Sequence, residues 1–267
     1  MAKTVLITGA SSGIGEALAY EAASRQYNIV IAARNLEKLT TVKLKCDTIG
    51  GRTELVVCDV SDKADCQHLV EETIGYFGQL DVLINNAGIS MRALFADCDL
   101  SVIESVMAIN FWGTVYCTRF AMPYLLKSKG AVVGVSSIAG IKGLPARTGY
   151  SASKFAMHGF LESLRIENRK TGLHVLIACP GYTASNIRNA ALDNHGGHQS
   201  ESPLDEGKLM PADEVAFEIF KALDKKKTYL FLTFQGKMTF FLSKFFPRLL
   251  DKLVYNTVAK EKGSPFK

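Results

Sequence analysis

The sequence predicts an α/β fold in which helices cover both faces of one mostly parallel sheet. Seven short runs rich in β-branched and apolar residues alternate with longer amphipathic stretches along the 267 residues. Several runs are almost wholly apolar, as in strands that are buried on both faces of a parallel sheet. Polar and glycine-rich motifs follow the runs, as expected at the carboxyl ends of such strands. These observations together favour a doubly wound sheet in a single domain.

The predicted strands follow the apolar runs, and the predicted helices lie between them. We expect strands at Thr4–Thr8, Asn28–Ala32, Glu54–Cys58, Val82–Ile84, Ala131–Val135, His174–Ala178 and Tyr229–Thr233. We expect helices near residues 14–25, 35–48, 62–77, 99–127, 150–170 and 211–226. Residues 1–233 are assigned to the domain and residues 234–267 to a basic C-terminal helical extension. Within the domain, residues 183–210 form a long polar insertion of low periodicity, which is typical of a lid.

The first strand leads into a glycine-rich turn that is suited to binding phosphate. The turn reads Thr8-Gly9-Ala10-Ser11-Ser12-Gly13-Ile14-Gly15 and runs directly into the first predicted helix. Glycine lets the backbone approach a ligand closely, and the helix N-terminus adds a partial positive charge. The glycine spacing is G-x-x-x-G-x-G, which differs from the G-x-G-x-x-G of many dinucleotide-binding folds. Its place between a strand and a helix still predicts a dinucleotide pyrophosphate here.

The end of the second strand indicates which dinucleotide is preferred. Folds that bind NAD usually have a carboxylate here for the ribose 2′-hydroxyl, whereas this sequence has Ala33 followed by Arg34. A guanidinium can bind a 2′-phosphate bidentately. We therefore expect NADP(H) rather than NAD(H), with Ser11 and Ser12 as further donors. The alternative is that Arg34 is a solvated residue at the start of a helix.

A tyrosine and a lysine stand four residues apart at Tyr150 and Lys154. Residues at this spacing share one face of a helix. A phenol with a pKa of about 10 is a poor acid–base catalyst at neutral pH, and a nearby ammonium group stabilises its phenolate. The pair is therefore suited to exchange a proton with a carbonyl or hydroxyl oxygen. Because this spacing also occurs by chance on amphipathic helices, a catalytic role for the pair has to be supported by the motifs around it.

Several other polar motifs are predicted to meet at the same edge of the sheet. Asp59 follows the third strand, and Asn85-Asn86-Ala87-Gly88 follows the fourth. Ser137 follows the fifth strand, and Pro180-Gly181 follows the sixth. Ligands of parallel sheets collect at this edge, so these motifs strengthen the interpretation of the tyrosine–lysine pair.

With these motifs in place, the chain resembles the short-chain dehydrogenase/reductase family over roughly residues 3–233. The matching motifs are the turn at 8–15, Asp59, Asn85-Asn86-Ala87-Gly88, Asn110, Ser137, Tyr150-x-x-x-Lys154 and Pro180-Gly181. The resemblance implies a single-domain Rossmann-type fold and an oxidoreductase that uses a nicotinamide dinucleotide. The interval of 13 residues before Tyr150 selects Ser137 over Ser136 as the serine of the family's active site.

The resemblance also implies roles for four catalytic residues. Tyr150 would be the general acid in reduction and the general base in oxidation. Ser137 would hydrogen-bond the substrate oxygen. Lys154 would hold the nicotinamide ribose and lower the pKa of the tyrosine, and Asn110 would support a proton relay through water to Lys154.

The same resemblance implies a set of residues that line the cofactor. Asp59 would meet the adenine amino group with Val60 beside the ring, and Asn86, Ala87 and Gly88 would line the ribose side. The full expected set is Gly9, Ser11, Ser12, Gly13, Ile14, Gly15, Arg34, Asp59, Val60, Asn86, Ala87, Gly88, Tyr150, Lys154, Pro180, Gly181, Thr183 and Ser185.

The sequence departs from the family pattern after Pro180. The family often has a threonine five residues after this proline, where its hydroxyl meets the nicotinamide amide. This sequence has Ser185 at that position and Thr183 two residues earlier. Which of the two hydroxyls contacts the amide stays open.

The net charge of +5 is unevenly distributed along the chain. Residues 221–267 carry eleven Lys and Arg against three Asp and Glu, which leaves a slightly acidic body. This distribution argues against a body that binds nucleic acid. The six cysteines are scattered, which is typical of a reduced protein and predicts a cytoplasmic location. His195 and His198 lack a companion carboxylate or cysteine pair, so we expect no metal site.

Residues 235–256 predict a basic amphipathic helix that Pro247 kinks or splits. Its expected apolar face comprises Phe240, Phe241, Leu242, Phe245, Phe246, Leu249, Leu250 and Leu253. The other side would carry Lys237, Lys244, Arg248 and Lys252. This combination is typical of a peripheral membrane contact. Packing of the apolar face on the lid or on a second subunit is the alternative.

The leading functional hypothesis is an NADP(H)-dependent oxidoreductase that interconverts a ketone and a secondary alcohol, with a lipophilic, steroid-like or long-chain substrate. A second hypothesis is a 3-oxoacyl-thioester reductase, which would need a more basic entrance than residues 183–210 offer. A third is a non-catalytic, NADP-binding regulatory protein, against which the complete catalytic set argues. The resemblance implies a homodimer or homotetramer.

Overall fold

A computed structural model, which describes residues 2–184, 187–199 and 209–266, contains one fully parallel, seven-stranded sheet. Its strand order is β3-β2-β1-β4-β5-β6-β7. The strands are β1 (Thr4–Thr8), β2 (Asn28–Ala33), β3 (Arg52–Val57), β4 (Val82–Asn85), β5 (Ala131–Val135), β6 (His174–Cys179) and β7 (Tyr229–Phe231). The winding direction reverses between β1 and β4, which opens a crevice at their carboxyl ends. The predicted fold class is confirmed.

Nine α-helices lie within the described residues. They are α1 (Gly13–Ser24), α2 (Leu36–Ile49), α3 (Lys63–Phe77), α4 (Leu100–Met107), α5 (Gly113–Ser128), α6 (Thr148–Glu167), α7 (Ala212–Asp224), α8 (Phe234–Phe245) and α9 (Pro247–Ala259). The single helix predicted near 99–127 is interrupted by a π-helical turn at Ala108–Trp112. Such turns often mark functional sites.

Two hydrophobic clusters hold helices against the two faces of the sheet. On one face, Leu18 of α1, Leu39 of α2 and Phe220 of α7 are fully buried against apolar strand residues. On the other face, α3, α5 and α6 contribute buried residues such as Leu69 and Leu161. Because each strand is covered on both sides, its alternate side chains enter opposite clusters, which explains the nearly continuous apolar runs.

The continuous helical segment Leu100–Ser128 is long and apolar enough to cross a membrane by length and composition alone. Its position in the fold gives it another role. Cys117, Ala121 and Leu125 are fully buried in the cluster that packs on the sheet. The apolar composition of this segment is therefore accounted for in part by its packing in the core.

The extension consists of two helices because Pro247 occupies the first turn of α9, a position where its missing N–H costs nothing. Phe240 of α8 packs on Phe231 with ring centres 5.0 Å apart, and Leu250 of α9 is buried. In contrast, Phe241 and Phe245 are exposed. The single apolar face that we predicted is thus divided between a side against the domain and a side toward solvent.

The β1–α1 turn packs so closely on the end of β4 that it has no room for side chains. A Cβ atom on Gly15 would lie 2.2 Å from the carbonyl oxygen of Gly9 and 2.4 Å from Nδ2 of Asn86. Gly9 has a φ of +64°, and its Cβ would lie 2.7 Å from Cα of Ala87. Both glycines are therefore required for the turn to meet β4.

Replacement of Gly15 by alanine is expected to destabilise the protein. The added methyl group would meet backbone and a fixed amide, so we expect a loss of about 1–3 kcal/mol in the free energy of unfolding. Gly75→Ala is the matched control, because Gly75 lies in α3 with open space around it, and there alanine should stabilise by roughly 0.5–1 kcal/mol. Urea denaturation of both variants measures the effects, and equal shifts would contradict the packing argument.

Candidate active site

A cleft of about 590 Å³ opens at the carboxyl ends of the strands, beside the point where the winding reverses. It is lined by every described residue of the expected cofactor set: Gly9, Ser11, Ser12, Gly13, Ile14, Gly15, Arg34, Asp59, Val60, Asn86, Ala87, Gly88, Tyr150, Lys154, Pro180, Gly181 and Thr183. Ser185, the alternative to Thr183, lies outside the described residues. Because Ser137 after β5 also lines it, the structure brings together groups from six strand ends in one cavity.

Hydrogen bonds between β1 and the segment after β4 fix the glycine-rich turn. The Thr8 hydroxyl accepts the backbone N–H groups of Asn86 and Ala87, each at 3.1 Å. The side-chain amide of Asn86 donates in return to the carbonyl oxygens of Thr8 and Gly9, at 2.9 and 3.1 Å. The Ser12 side chain makes no capping hydrogen bond to α1, so its hydroxyl is available to a phosphate at this helix N-terminus.

Arg34 projects from the end of β2 at the rim of the cleft. The next residue, Asn35, caps α2 by accepting the N–H of Lys38 at 2.8 Å, so Arg34 has no capping role. Its side chain is 68% exposed, and Nη1 lies 3.9 Å from Oδ2 of Asp59. Partial burial opposes ionisation of Asp59, but hydrogen bonds from Ser61 and the charge of Arg34 lower the pKa of this carboxyl.

The tyrosine–lysine pair lies on α6 with both side chains buried at the cleft wall. Lys154 Nζ donates to the carbonyl oxygen of Val135 at 2.9 Å and lies 5.8 Å from the centre of the Tyr150 ring. Burial lowers the pKa of Lys154 to about 8. The lysine is therefore held at the end of β5 by a backbone contact, with its head group near the phenol.

Burial raises the pKa of Tyr150, and three neighbours oppose this effect. The neighbouring Ser137 hydroxyl and the charges of Arg147 and Arg188 favour the phenolate and so lower this pKa. Because the phenol is out of bulk water, its protonation depends on these neighbours. The site therefore holds a phenol whose proton affinity is set by a small number of fixed groups.

The two serines after β5 have different surroundings. The Ser136 hydroxyl lies 2.6 Å from Nε2 of His158, and burial lowers the pKa of this histidine to about 4. Ser137 instead influences the Tyr150 phenol and caps a short helical turn by accepting the N–H of Ala139 at 3.1 Å. Both serines line the cleft, but only the serine that the 13-residue interval selects affects the pKa of Tyr150.

Asn110 lies in the π-helical turn, behind the cleft wall. Its Oδ1 accepts the N–H of Ile89 at 2.8 Å, and its Nδ2 donates to the carbonyl of Ile89 and the hydroxyl of Ser153, both at 2.9 Å. A Cβ on Gly88 would lie 3.2 Å from Asn110 Oδ1 and 3.5 Å from Lys154 Nζ. Asn110 thus fixes the chain beside Lys154, and the expected relay through water stays a prediction.

Sequence reasoning missed several residues at the substrate end of the cleft. Arg147, Tyr182 and Arg188 line it together with apolar side chains, among them Leu144 and Ile187. Arg147 immediately precedes α6 and stands three residues before Tyr150. This nearness in the sequence is the signal that could have identified Arg147 as a site residue. The others are brought in by loops whose course the sequence pattern does not define.

Residues 187–199, the longest described part of the predicted lid, are tied to the domain. The N–H of Leu192 donates to the carbonyl of Ser90 at 2.9 Å, and the N–H of Arg92 donates to the carbonyl of Leu192 at 2.8 Å. His195 Nδ1 lies 3.1 Å from the Asp99 carboxylate. Ile187, Arg188 and Ala190 contribute to the cleft wall, so this part of the insertion borders the cleft.

Comparison with known proteins identifies relatives along nearly the whole chain. A family model described as short chain dehydrogenase matches residues 3–196. The 11-beta-hydroxysteroid dehydrogenase-like 2 protein of Arabidopsis thaliana is 37% identical over 254 residues, which cover 94% of this chain and 80% of that protein. The 11-beta-hydroxysteroid dehydrogenase A of Sesamum indicum is 33% identical over 272 residues and covers 99% and 78%.

Solved structures show the same fold. A short chain dehydrogenase/reductase from Burkholderia phymatum in complex with NAD has a TM-score of 0.83 at 24% identity, covering 93% of this chain and 95% of its own. An alcohol dehydrogenase from Thermococcus sibiricus, complexed with 5-hydroxy-NADP, has a TM-score of 0.75 at 22% identity, covering 86% and 94%. From the family match and the relatives above 30% identity, this chain belongs to the short-chain dehydrogenase/reductase family of oxidoreductases, which act on hydroxyl and carbonyl groups.

Proposed function

We propose that this protein is an NADP(H)-dependent oxidoreductase that interconverts a ketone and a secondary alcohol on a lipophilic, steroid-like or long-chain substrate. The observation that carries the proposal is the placement of Ser137 and Tyr150 in one cleft that also holds Lys154 and the glycine-rich turn. The nicotinamide cofactor, when bound, supplies or accepts the hydride. The protein's own task is to place the substrate oxygen and to move one proton.

Each residue of the site has a distinct part in that task. A substrate oxygen between Ser137 and Tyr150 would accept hydrogen bonds from both hydroxyls, which fixes its carbonyl carbon. Tyr150 gives its proton to that oxygen in reduction and takes it back in oxidation. Lys154, with a pKa near 8, keeps a positive charge close to the phenol over the neutral range and favours the phenolate once the proton has left.

The proposed preference for NADP(H) rests on Arg34. Its guanidinium is exposed at the rim of the cleft, and its nearest carboxylate, Asp59, is 3.9 Å away. The residue that ends β2 is Ala33, so the strand offers no carboxylate that would repel a 2′-phosphate. The turn at Gly9 and Gly15, which has no space for side chains, provides a backbone cradle of the kind that a pyrophosphate needs.

The proposed substrate class rests on the other end of the cleft and on the relatives. Ile89, Leu144 and Ile187 give this end an apolar wall, and apolar walls with few polar groups are typical of sites for lipophilic ligands. The relatives named above carry hydroxysteroid dehydrogenase names. Both features favour a large lipophilic ketone or alcohol over a small polar one.

Removal of the Tyr150 hydroxyl is expected to abolish proton transfer. Tyr150→Phe should lower kcat at least roughly a hundredfold, the lower limit for loss of a general acid. NADPH oxidation with a panel of hydrophobic ketones measures the effect, and Tyr76→Phe, at an exposed tyrosine on α3, is the control. A variant with undiminished turnover would contradict the mechanism. NADPH binding without turnover of any carbonyl by the unaltered protein would support the regulatory alternative.

Loss of the Arg34 charge is expected to affect one cofactor only. Arg34→Leu should raise the KM for NADPH about tenfold or more, because a charge-assisted hydrogen bond contributes roughly 1.5–3 kcal/mol. The KM for NADH should hardly change, because NADH has no 2′-phosphate. Arg169→Leu, at an exposed arginine after α6, is the control. Equal changes in KM for both cofactors would show that Arg34 does not bind the 2′-phosphate.

We further propose that the solvent side of α8 and α9 binds an anionic lipid surface. We call this side the basic aromatic face. It comprises the exposed apolar residues Phe234, Met238, Phe241, Phe245, Phe246, Leu249 and Leu253, and the exposed cations Lys237, Lys244, Arg248 and Lys252. Phenylalanines enter the boundary between headgroups and acyl chains, while the cations attract anionic headgroups.

Charge complementarity is the argument for lipid over a second copy of this chain. The rings of Phe241 and Phe245 have centres 4.8 Å apart, with exposures of 50% and 63%, so they form one exposed apolar block. The carboxylate of Asp251 is paired with Lys142, which leaves the cations of the face in excess. Two copies of such a face would repel each other, whereas an anionic bilayer would not.

Flotation with vesicles tests this face on the full-length protein. We expect it to float with vesicles of phosphatidylcholine and phosphatidylglycerol, and less with phosphatidylcholine alone or at high salt. Phe241→Ser combined with Phe245→Ser should abolish flotation, whereas Phe217→Ser, at an exposed phenylalanine on α7, should leave it intact. Failure of the unaltered protein to float would overturn the proposal. So would a change of oligomeric state in the double variant without an effect on lipid binding.

A further inference from the structure

The C-terminal extension reaches the catalytic helix through one buried ion pair. Glu261 follows α9, and its Oε2 lies 2.8 Å from Nη2 of Arg147, the residue immediately before α6. Both residues are buried, with 8% of Arg147 and 5% of Glu261 exposed. Arg92 adds a longer contact of 3.6 Å to the same carboxylate oxygen and donates to the carbonyl of Lys262 at 2.8 Å.

Arg147 has the wrong charge for its place at the start of a helix. The N-terminus of a helix carries a partial positive charge, so a cation there is unfavourable without a nearby anion. The residue before it, Ala146, has a φ of +58°, a left-handed conformation that costs a non-glycine residue about 1 kcal/mol or more. The local sequence therefore does not favour this conformation on its own, and a contact from elsewhere in the chain must hold the arginine.

The ion pair is a poor candidate for a purely stabilising contact. Within the described part of the chain, neither Nη1 of Arg147 nor Oε1 of Glu261 has a hydrogen-bond partner, although both atoms are buried. Buried ion pairs with incomplete hydrogen bonding barely repay the cost of removing their charges from water. Arg147 also lines the cleft, so its charge acts on the reaction site.

We propose that Glu261 is a positioning residue of the active site, which holds Arg147 at the start of the catalytic helix and neutralises its charge beside Tyr150. The proposal rests on the proposed function of Tyr150 as proton donor and acceptor. It makes the segment after α9 a part of the site rather than a separate surface. None of the motifs that define the family resemblance includes Glu261 or Arg147.

The charged and titratable groups around Tyr150 come from several elements. They are Arg147 just before α6, Lys154 of α6, Arg188 of residues 187–199, Tyr182 after β6, and, through Arg147, Glu261 and Arg92. Arg147 and Arg188 favour the phenolate. Glu261 weakens the share that Arg147 contributes, because its carboxylate is in contact with the guanidinium. Arg147 therefore lowers the proton affinity of the Tyr150 phenol, and Glu261 opposes this effect.

This arrangement predicts the direction in which each substitution shifts the pKa of Tyr150. Glu261→Gln leaves the guanidinium without a counter-charge, so the pKa of Tyr150 should fall. Arg147→Gln removes the cation and leaves the carboxylate, so this pKa should rise. In the double variant both charges are absent, and the pKa should return close to that of the unaltered protein. A contact that served only to hold the backbone would produce no opposite shifts.

The pH profile of alcohol oxidation by the full-length protein is the test. The value of kcat/KM falls toward low pH because the Tyr150 phenolate, the general base in oxidation, takes up a proton. We expect the midpoint of this fall to move down by about one pH unit in Glu261→Gln and up by about one in Arg147→Gln. The double variant should show a midpoint near the original one. Lys154 is unchanged in all variants, so differences between the profiles report the Arg147–Glu261 pair.

The control is Asp251→Asn, which removes an exposed carboxylate of the same extension that pairs with Lys142; its profile should not move. Midpoints that stay together in all variants, with altered melting temperatures only, would overturn the proposal and assign the pair a structural role. If Glu261→Gln does not fold, comparison of Arg147→Gln with the double variant provides the same contrast. An active Tyr150→Phe variant would instead refute the proposed function, so the two failures are distinguishable.

Discussion

The hydrogen bonds between Thr8 and Asn86 join the two halves of the sheet where the winding reverses, and the site depends on this junction. The Thr8 hydroxyl binds the backbone after β4, while the Asn86 amide binds the backbone of the glycine-rich turn. These contacts are made only at close approach, which is why Gly9 and Gly15 have no room for a Cβ atom. The glycine-rich turn and the proposed reaction site thereby share one rigid frame.

Local sequence was sufficient to predict the frame and most of the site. The apolar runs located each strand to within two residues of its observed bounds, because strands buried on both faces leave a nearly continuous signal. The residues that follow the strands converge because a parallel sheet brings its carboxyl ends to one edge. The interval before Tyr150 selects Ser137 over Ser136, and the structure places the Ser136 hydroxyl against His158.

Contacts between distant parts of the chain could not be predicted from the sequence. Glu261 looked like one more charge in a basic tail, because no periodicity connects it with Arg147, 114 residues earlier. The π-helical turn at Ala108–Trp112 was missed for a related reason: the apolar pattern continues through it, while the contacts that hold Asn110 come from Ile89 and Ser153. The division of the α8–α9 surface likewise depends on how the domain packs against it.

The contact between Glu261 and Arg147 also bears on the order in which the molecule matures during synthesis. All seven strands and the catalytic helix precede residue 234, so the sheet can assemble while the last helices are still within the ribosome. At that stage Arg147 at the start of α6 has no counter-charge from Glu261, and the contact that accompanies the left-handed conformation of Ala146 in the complete fold is absent. Closure of a loop of this length follows local folding, so we expect the glycine-rich turn to form first and the arrangement around Tyr150 to be completed last.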